Sequence, residues 1–333
     1  MKKITALLLA LLLLAAVLAG CGKQNTDNKT DEAEKLSIVT TIFPEYDWVR
    51  EILGDKTDNA EITMLLDNGV DLHSYQPTAD DIIRISDCDL FVYVGGESDG
   101  WVDDALKNAT NKDMKVINLL DVLGDSVKTE ETVEGMQEEE HDHEHEEGEE
   151  HEHEEEKDEH VWLSLRNAET LVAAISNALQ ELDPDNKAVY AANSDAYVKK
   201  LSALDADYQA AVDAATYKTV LFGDRFPFRY MVDDYGLSYY AAFVGCSAET
   251  EASFETISFL AGKVDELKLP CVLTIEGAQH KIAETIVQNT AEKNQKVLTM
   301  DSMQSTTSKD VANGATYLSI MEKNLSVLKE ALG

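Results

Sequence analysis

Short hydrophobic runs alternate with amphipathic segments along most of the chain, and each run has the length of a buried β-strand. The predicted strands of the first half are residues 36–41, 60–66, 89–94 and 115–120. Those of the second half are residues 219–222, 238–244, 272–275 and 296–300. A helix is predicted at residues 44–53, which Gly54 ends, and another begins at Thr78. Repeated βα units predict an α/β fold with two lobes, each a mostly parallel sheet covered by helices.

A longer segment with a different pattern lies between these two blocks. In residues 186–215, large apolar side chains recur at intervals of three, four or seven, which predicts one long helix. Its position predicts that it joins the lobes and that a cleft lies between them. We therefore divide the chain into a first lobe at 35–183, a connecting helix at 184–216 and a second lobe at 217–333.

The N-terminus has the features of an exported lipoprotein. Lys2 and Lys3 precede an apolar stretch at residues 4–19, which is shorter than the roughly 20 residues of a spanning helix. The sequence LAGC at residues 18–21 is similar to a bacterial lipobox. We predict a signal peptide at residues 1–20, lipidation of Cys21 and a flexible tether at 21–34. The protein is then extracytoplasmic and lipid-anchored to the bacterial cell membrane.

The negative charge of the chain is concentrated in one segment. The formal net charge is −36, and residues 130–159 contain 18 acids and one lysine. Such a surface repels phosphates, which argues against a nucleic-acid partner. Within this segment, the alternation of imidazole and carboxylate indicates accessory sites for divalent metals. The accessory ligands are His141, His143, His145, His151 and His153. A solvated acidic linker is the alternative, and in either case the loop at about 130–158 is expected to be disordered without metal.

Five residues of types that can bind metals lie at the exits of predicted strands, and His160 closes the acidic segment that follows the strand ending at residue 120. Ligands of open α/β sheets bind beyond the carboxyl ends of the strands, so these positions are expected to line the cleft. The candidates are His73, His160, Asp224, Glu276 and Asp301.

Catalytic motifs are missing from the sequence. It contains no HExxH, GxSxG, Walker loop or GxGxxG, which predicts that the protein is not an enzyme. Beyond Cys21 the cysteines are Cys88, Cys246 and Cys271, and no two are close enough in sequence for a zinc finger. Cys246 and Cys271 lie at ends of predicted strands in the same half, and the sequence leaves open whether they form a disulfide.

Five stretches carry a family resemblance. They are TTIFP at 40–44, GVDLHSYQPT at 69–78, DEHVWLS at 158–164, the Tyr- and Leu-rich stretch at 186–204, and YGL at 235–237. Together they resemble the metal-binding solute receptors of ABC importers, and the His-rich loop resembles the zinc-specific branch. The resemblance covers nearly all of the mature chain. It implies a rigid connecting helix, a metal cleft between the lobes, and partners in the permease and ATPase of an importer. We expect the receptor to be a monomer.

The resemblance implies His73, His160 and Asp301 as metal ligands. At the usual third position this sequence has Arg225, which cannot coordinate a metal. Asp224 is the tentative third ligand, with Glu276, His280, a loop histidine or water as alternatives. Zn²⁺ suits imidazole and carboxylate ligands, and no thiolate is expected among them. A manganese receptor and a surface adhesin that uses metal structurally are the alternative functions.

Overall fold

The computed structural model describes residues 35–137, 156–247, 251–277 and 280–333. Residues 35–333 belong to one compact unit, within which two separate four-stranded sheets define two lobes. All neighbouring strands in both sheets are parallel, so helices or loops must connect them.

The first lobe is built on the sheet with strand order β2-β1-β3-β4. Its strands are β1 (Leu36–Thr40), β2 (Ala60–Met64), β3 (Leu90–Tyr93) and β4 (Lys115–Asn118). Its helices are α1 (Phe43–Leu53), α2 (Ala79–Asp87), α3 (Val102–Lys107), α4 (Leu119–Leu123) and α5 (Leu165–Leu182). Short 3-10 turns lie at Gly54–Asn59, Leu72–Ser74, Gly124–Ser126 and Val161–Leu163.

Both helix boundaries predicted from local sequence in this lobe are present. Helix α1 ends at Gly54, whose φ of 55° is in the region that favours glycine. The Thr78 side chain accepts a hydrogen bond from the Asp81 amide, and the Asp81 carboxylate accepts from the Thr78 amide. This reciprocal capping satisfies two backbone donors at the start of α2.

Helix α6 (Lys187–Ala214) is the long helix that the sequence predicts between the two sheets. Its 28 residues correspond to a length of about 42 Å. It packs against α1 and α5 of the first lobe and against α11 (Tyr317–Leu332) of the second. Tyr208, which is buried, donates a hydrogen bond from its hydroxyl to the Met321 carbonyl at 2.7 Å.

The second lobe repeats the plan with the strand order β6-β5-β7-β8. Its strands are β5 (Thr219–Phe226), β6 (Ser238–Val244), β7 (Cys271–Ile275) and β8 (Lys296–Met300). Its helices are α7 (Arg229–Tyr235), α8 (Phe254–Leu267), α9 (Lys281–Asn289), α10 (Ser308–Ala312) and α11. The two-lobed α/β architecture with a long connecting helix is therefore confirmed.

Strand β5 is longer than its hydrophobic pattern predicts. The pairing of β5 with β6 changes register between Phe222 and Arg225, and the strand continues to Phe226. Asp224 and Arg225 therefore lie within β5, whereas the sequence places them in the loop after it. The irregular register explains the difference, because it interrupts the regular alternation that marks a strand.

The larger of two hydrophobic clusters runs from one lobe to the other. Trp48 and Trp162 of the first lobe, Tyr197 of α6, and Phe222 and Tyr317 of the second belong to the same buried cluster. A second cluster, which includes Leu221 and Val264, lies on the opposite face of the second sheet. The shared core and α6 hold together the two lobes whose strand exits contribute to the site.

Candidate metal site

His73 lies on a 3-10 turn after β2, and several polar groups fix its ring. The Asp71 side chain accepts a hydrogen bond from the His73 amide at 3.0 Å. On the ring, Nδ1 lies 2.8 Å from the Ser98 hydroxyl and 3.5 Å from Oε2 of Glu159. That Glu159 oxygen is buried and has no hydrogen-bond partner among the described residues. These oxygen atoms can accept a hydrogen bond from Nδ1 of His73, which leaves Nε2 as the nitrogen available to a metal.

His160 is held in the same way and is fully buried. Oδ1 of Asp158 lies 2.9 Å from the His160 amide and 3.0 Å from its Nδ1. A carboxylate at one ring nitrogen orients an imidazole and makes the other nitrogen a stronger ligand. The backbone of Gly245 also lies against the ring, where an added Cβ would be only 2.9 Å from Cε1 of His160. Only glycine permits this close approach.

The two imidazoles converge. Nε2 of His73 lies 3.2 Å from Nε2 of His160, although the residues are 87 positions apart in the chain. Burial, and secondarily the neighbouring His160, lowers the pKa of His73 to about 3. His73 is therefore neutral at physiological pH, which is the form that binds metal. The pair presents two imidazole nitrogens at one point.

Cys246, in the turn after β6, completes a group of three potential metal ligands. Its Sγ and one ring nitrogen from each of His73 and His160 all lie within 4.8 Å of one another. The Glu130 carboxylate accepts a hydrogen bond from the Cys246 amide at 3.0 Å and another from its thiol. Burial, followed by the nearby Glu130 charge, raises the pKa of the Cys246 thiol.

Arg225 forms an ion pair across the cleft. Its Nη2 lies 2.6 Å from Oδ2 of Asp71, and its Nη1 donates to the Ser247 carbonyl at 3.3 Å. The Gln304 amide nitrogen, when it faces Asp71, lies 3.0 and 2.9 Å from the two carboxylate oxygens. Arg225 therefore neutralises Asp71, whose Oδ1 lies 4.0 Å from Nε2 of His73. An ion pair takes the place of the expected third ligand.

The other candidates from the second lobe bond to their own lobe in this structure. Asp224 accepts hydrogen bonds from the Thr274 hydroxyl at 2.5 Å and from the Ile275 amide at 3.3 Å. Asp301 accepts from the Met303 amide at 2.8 Å. Glu276 accepts from the Ser302 amide and hydroxyl at 2.6 and 2.7 Å. None of the three belongs to the group that His73 and His160 form among the described residues.

His280 also lies outside that group. Its Nδ1 lies 3.1 Å from the Thr274 hydroxyl, on the side of the second sheet where Asp224 is held. The predicted accessory ligands His141, His143, His145, His151 and His153 lie outside the described residues, as does Cys21.

The disulfide that the sequence left open is absent, since both Cys246 and Cys271 are free cysteines. Cys246 follows the C-terminal end of β6, whereas Cys271 is the first residue of β7. Both strands run parallel to β5, so the two residues lie at opposite ends of the parallel strands of one sheet. The same strand-exit rule that selected His73 also applies to Cys246, but the sequence analysis considered that cysteine only as a disulfide partner.

The chain was compared with known families, sequences and structures. Residues 38–331 match the family described as zinc-uptake complex component A, periplasmic. This chain belongs to that family. The family is named for a component of an uptake complex, in agreement with the prediction that the protein is not an enzyme.

Two relatives illustrate the family. The chain is 34% identical over 330 residues to the zinc-binding lipoprotein AdcA of Streptococcus pneumoniae serotype 4, which covers 99% of this chain and 61% of AdcA. It therefore spans about three fifths of that relative. It is also 32% identical over 317 residues to the high-affinity zinc uptake system protein ZnuA of Bacillus subtilis, covering 95% and 94% of the two chains.

The fold agrees with that of solved members of the family. The crystal structure of the Zn(II)-bound ZnuA-like domain of Streptococcus pneumoniae AdcA is 30% identical and has a TM-score of 0.68. The match covers 90% of this chain and 99% of that domain. Of the helices described here, none combines the length and hydrophobicity that a membrane span requires.

Proposed function

We propose that this family member captures zinc outside the cytoplasm and delivers it to an ABC importer. The observation that carries the proposal is the pair of buried imidazoles whose Nε2 atoms lie 3.2 Å apart, each with a carboxylate near its Nδ1. In tetrahedral zinc sites, bonds of about 2.0–2.1 Å place two nitrogen ligands about 3.3 Å apart. The pair therefore has the spacing of two ligands of one ion.

The charges around the pair also favour a cation. Asp71, Asp158 and Glu159 all lie within 4.0 Å of a ring nitrogen of His73 or His160. These carboxylates attract a divalent ion, while the imidazoles bind it directly. Zinc fits this combination of nitrogen ligands better than manganese, which prefers carboxylates and water. Relatives named for zinc binding and zinc uptake support the same choice.

The cellular setting is part of the proposal. We infer that Cys21 carries a lipid that anchors the receptor to the outer face of the cell membrane, and that the permease and ATPase of an ABC importer are its partners. The receptor acts as a monomer and does not bind nucleic acid. The pneumococcal relative is named a lipoprotein, which supports the lipid anchor. The family is named for an uptake complex, which supports the importer as a partner.

The His-rich loop has a separate role in this proposal. His141, His143, His145, His151 and His153 bind additional zinc ions weakly and buffer the metal near the cleft. A chain that lacks residues 138–155 should keep the tightest zinc site and lose the weaker equivalents, as isothermal titration would measure. An unchanged number of zinc ions in the shortened chain would contradict this role.

The cleft site is tested by replacing one imidazole. His73→Ala should weaken the tightest zinc site by about 100-fold or more, because a total of about 10–16 kcal/mol is shared among three or four ligands. His280→Ala is the matched control, since His280 lies outside the group. Competition titration with a zinc chelator measures both variants, and circular dichroism verifies that each is folded.

His73→Gln provides a second variant that keeps the size of the side chain and a polar group. If zinc affinity in both His73 variants equals that of the parent, or if His280→Ala loses as much, zinc does not bind between His73 and His160.

A further inference from the structure

The turn after β6 lies directly against the imidazole pair. Gly245 packs closely on the His160 ring and also lies near the Phe226 carbonyl, which an added Cβ would approach to 3.0 Å. The next residue is Cys246, whose amide is hydrogen-bonded to Glu130 of the first lobe at 3.0 Å. Contacts on both sides therefore position the thiol toward the cleft.

We propose that Cys246 is the third protein ligand of the cleft, binding as a thiolate together with His73 and His160. This assignment deepens the proposed function, on which it rests, by restricting the cargo to divalent ions with an affinity for sulfur. It replaces the expected carboxylate from the second lobe with a sulfur ligand.

The distances are close to those of a tetrahedral site. With Zn–S of about 2.3 Å and Zn–N of about 2.0–2.1 Å, a sulfur and a nitrogen ligand lie about 3.6 Å apart. The three ligand atoms here all lie within 4.8 Å of one another. Closing the site thus requires the sulfur to approach by at most about 1.2 Å. The fourth position remains open to water, which keeps the ion exchangeable.

The proton of the thiol has a defined acceptor. When zinc binds, the S–H bond breaks, a Zn–S bond forms, and the proton passes to the Glu130 carboxylate with which the thiol is hydrogen-bonded. Glu130 is thus a positioning residue, since it holds the Cys246 amide and thiol but does not contact the ion.

The other second-lobe candidates have contacts that compete with coordination. Arg225 is a cation paired with Asp71, and Asp224 and Asp301 accept hydrogen bonds within their own lobe. Among the described carboxylates, thiols and imidazoles, Cys246 is the one that forms a group of three with the imidazole pair.

The ligand set determines which ions are selected. Thiolate is a soft ligand that favours zinc over manganese, magnesium or calcium, whose preferred ligands are oxygen atoms. Two imidazoles and a carboxylate would distinguish zinc from manganese less strongly. Selection against manganese should therefore depend on Cys246 in particular.

Cobalt(II) is a spectroscopic probe for this inference, because thiolate ligands give it a charge-transfer absorption in the near ultraviolet that imidazoles do not. One equivalent of cobalt is added to the full chain and to four single variants: Cys21→Ser, Cys88→Ser, Cys246→Ser and Cys271→Ser. The band should be present in the parent and in three variants and absent only in Cys246→Ser. Imidazoles of the His-rich loop cannot produce it.

Zinc titrations of the same variants complete the test. Cys246→Ser should weaken the tightest site by at least about 10-fold. Loss of a residue that only supports a ligand already costs about 10–100-fold in metal affinity, and loss of a ligand should cost no less. The preference of this variant for zinc over manganese should fall by a similar factor. Cys271→Ser is the matched control, since Cys271 lies at the N-terminal end of β7, away from the turn after β6. It should change neither the zinc affinity nor the preference for zinc over manganese.

Two failures are distinguishable. If cobalt and zinc bind in a His73-dependent way but the band is absent, or persists in Cys246→Ser, the cleft binds metal and Cys246 is not a ligand. If His73→Ala binds zinc as the parent does, the proposed function itself fails. Thermal unfolding of each metal-free variant identifies any that is not folded, and Cys246→Ala then replaces Cys246→Ser.

Discussion

The two halves of the candidate metal site differ in how completely their groups are already arranged for coordination. On the first-lobe side, His73 and His160 are almost fully enclosed, and each has its Nδ1 beside a carboxylate. On the second-lobe side, Arg225 pairs with Asp71 across the cleft, and the Cys246 sulfur and the imidazole nitrogens lie within 4.8 Å of one another, a limit wider than the spacing of zinc ligands. The first half is organised for coordination, whereas the second contains groups that must rearrange.

This difference indicates a division of labour between the lobes. Imidazoles whose orientation is fixed in advance bind a metal without a further cost of ordering. The second lobe then contributes the groups that adjust when the ion arrives. Because a continuous core and α6 join the lobes, the adjustment is expected at the turn after β6 and at the Arg225 side chain.

Among variants that leave the proposed ligands in place, the largest loss of zinc affinity should come from replacing a carboxylate on the first-lobe side. Asp158→Asn removes the negative charge that orients His160, and loss of such a partner reduces metal affinity about 10–100-fold. The matched variant is Asp301→Asn on the second-lobe side, which should change zinc affinity by less than about 3-fold if Asp301 supports only its own loop. Chelator competition measures both. A larger loss in Asp301→Asn would instead favour Asp301 as a ligand and reverse the comparison.

An intermediate effect is expected at the ion pair across the cleft. Arg225→Gln removes a positive charge near the metal and frees Asp71, so zinc should bind about 10-fold more tightly, as the repulsion falls by roughly 1.4 kcal/mol. The metal-free protein should lose only about 1 kcal/mol, since the pair is partly exposed. Zinc titration and urea unfolding measure the two quantities.

Asp71→Asn is the companion variant for that ion pair. It leaves the Arg225 charge unpaired beside the site and should weaken zinc binding. If both variants change the affinity in the same direction, the ion pair acts by closing the cleft and not by its charges.

The smallest effect on zinc affinity is expected away from the site, where α1 of the first lobe meets α11 of the second. Asp47 accepts a hydrogen bond from the Tyr317 amide, and burial raises the pKa of Asp47 to about 6. Because the folded-state pKa lies above the unfolded value, the stabilisation is present below about pH 4 and is lost as the pH rises through 6. Asp47→Asn should reduce this decline by about 2–3 kcal/mol, since a shift of about two pKa units corresponds to that free energy.

Urea unfolding of the metal-free protein at pH 4 and pH 7 tests this expectation. Zinc affinity should not change in Asp47→Asn, because Asp47 lies outside the group that His73 and His160 form. A change in zinc affinity would show that the contact between the lobes is coupled to the site.

Local patterns were sufficient for most of the fold. All eight predicted strands are present, and so are the end of α1 at Gly54 and the Thr78 cap. These features depend on hydrophobic periodicity and on backbone chemistry within a few residues. The end of β5 was missed because the register with β6 shifts between Phe222 and Arg225, and such a shift depends on the partner strand.

The candidate site was predicted less completely. His73 and His160 could be selected because each follows a strand and lies in a distinctive motif, and the structure places them together. Cys246 was not selected as a ligand, because its value depends on the close contact of Gly245 with the His160 ring. The pairing of Arg225 with Asp71, 154 residues away, also has no local signal.

The two-lobed α/β plan, the long helix and the family could be predicted from the sequence alone, because periodicity, capping residues and short motifs depend on residues that are close together in the chain. The sequence also identified two imidazoles suited to zinc. Only the tertiary structure decided which groups surround them, since coordination needs distances of a few ångströms between atoms from separate strands and lobes. That packing brings the Cys246 thiol to the imidazole pair and pairs Arg225 with Asp71.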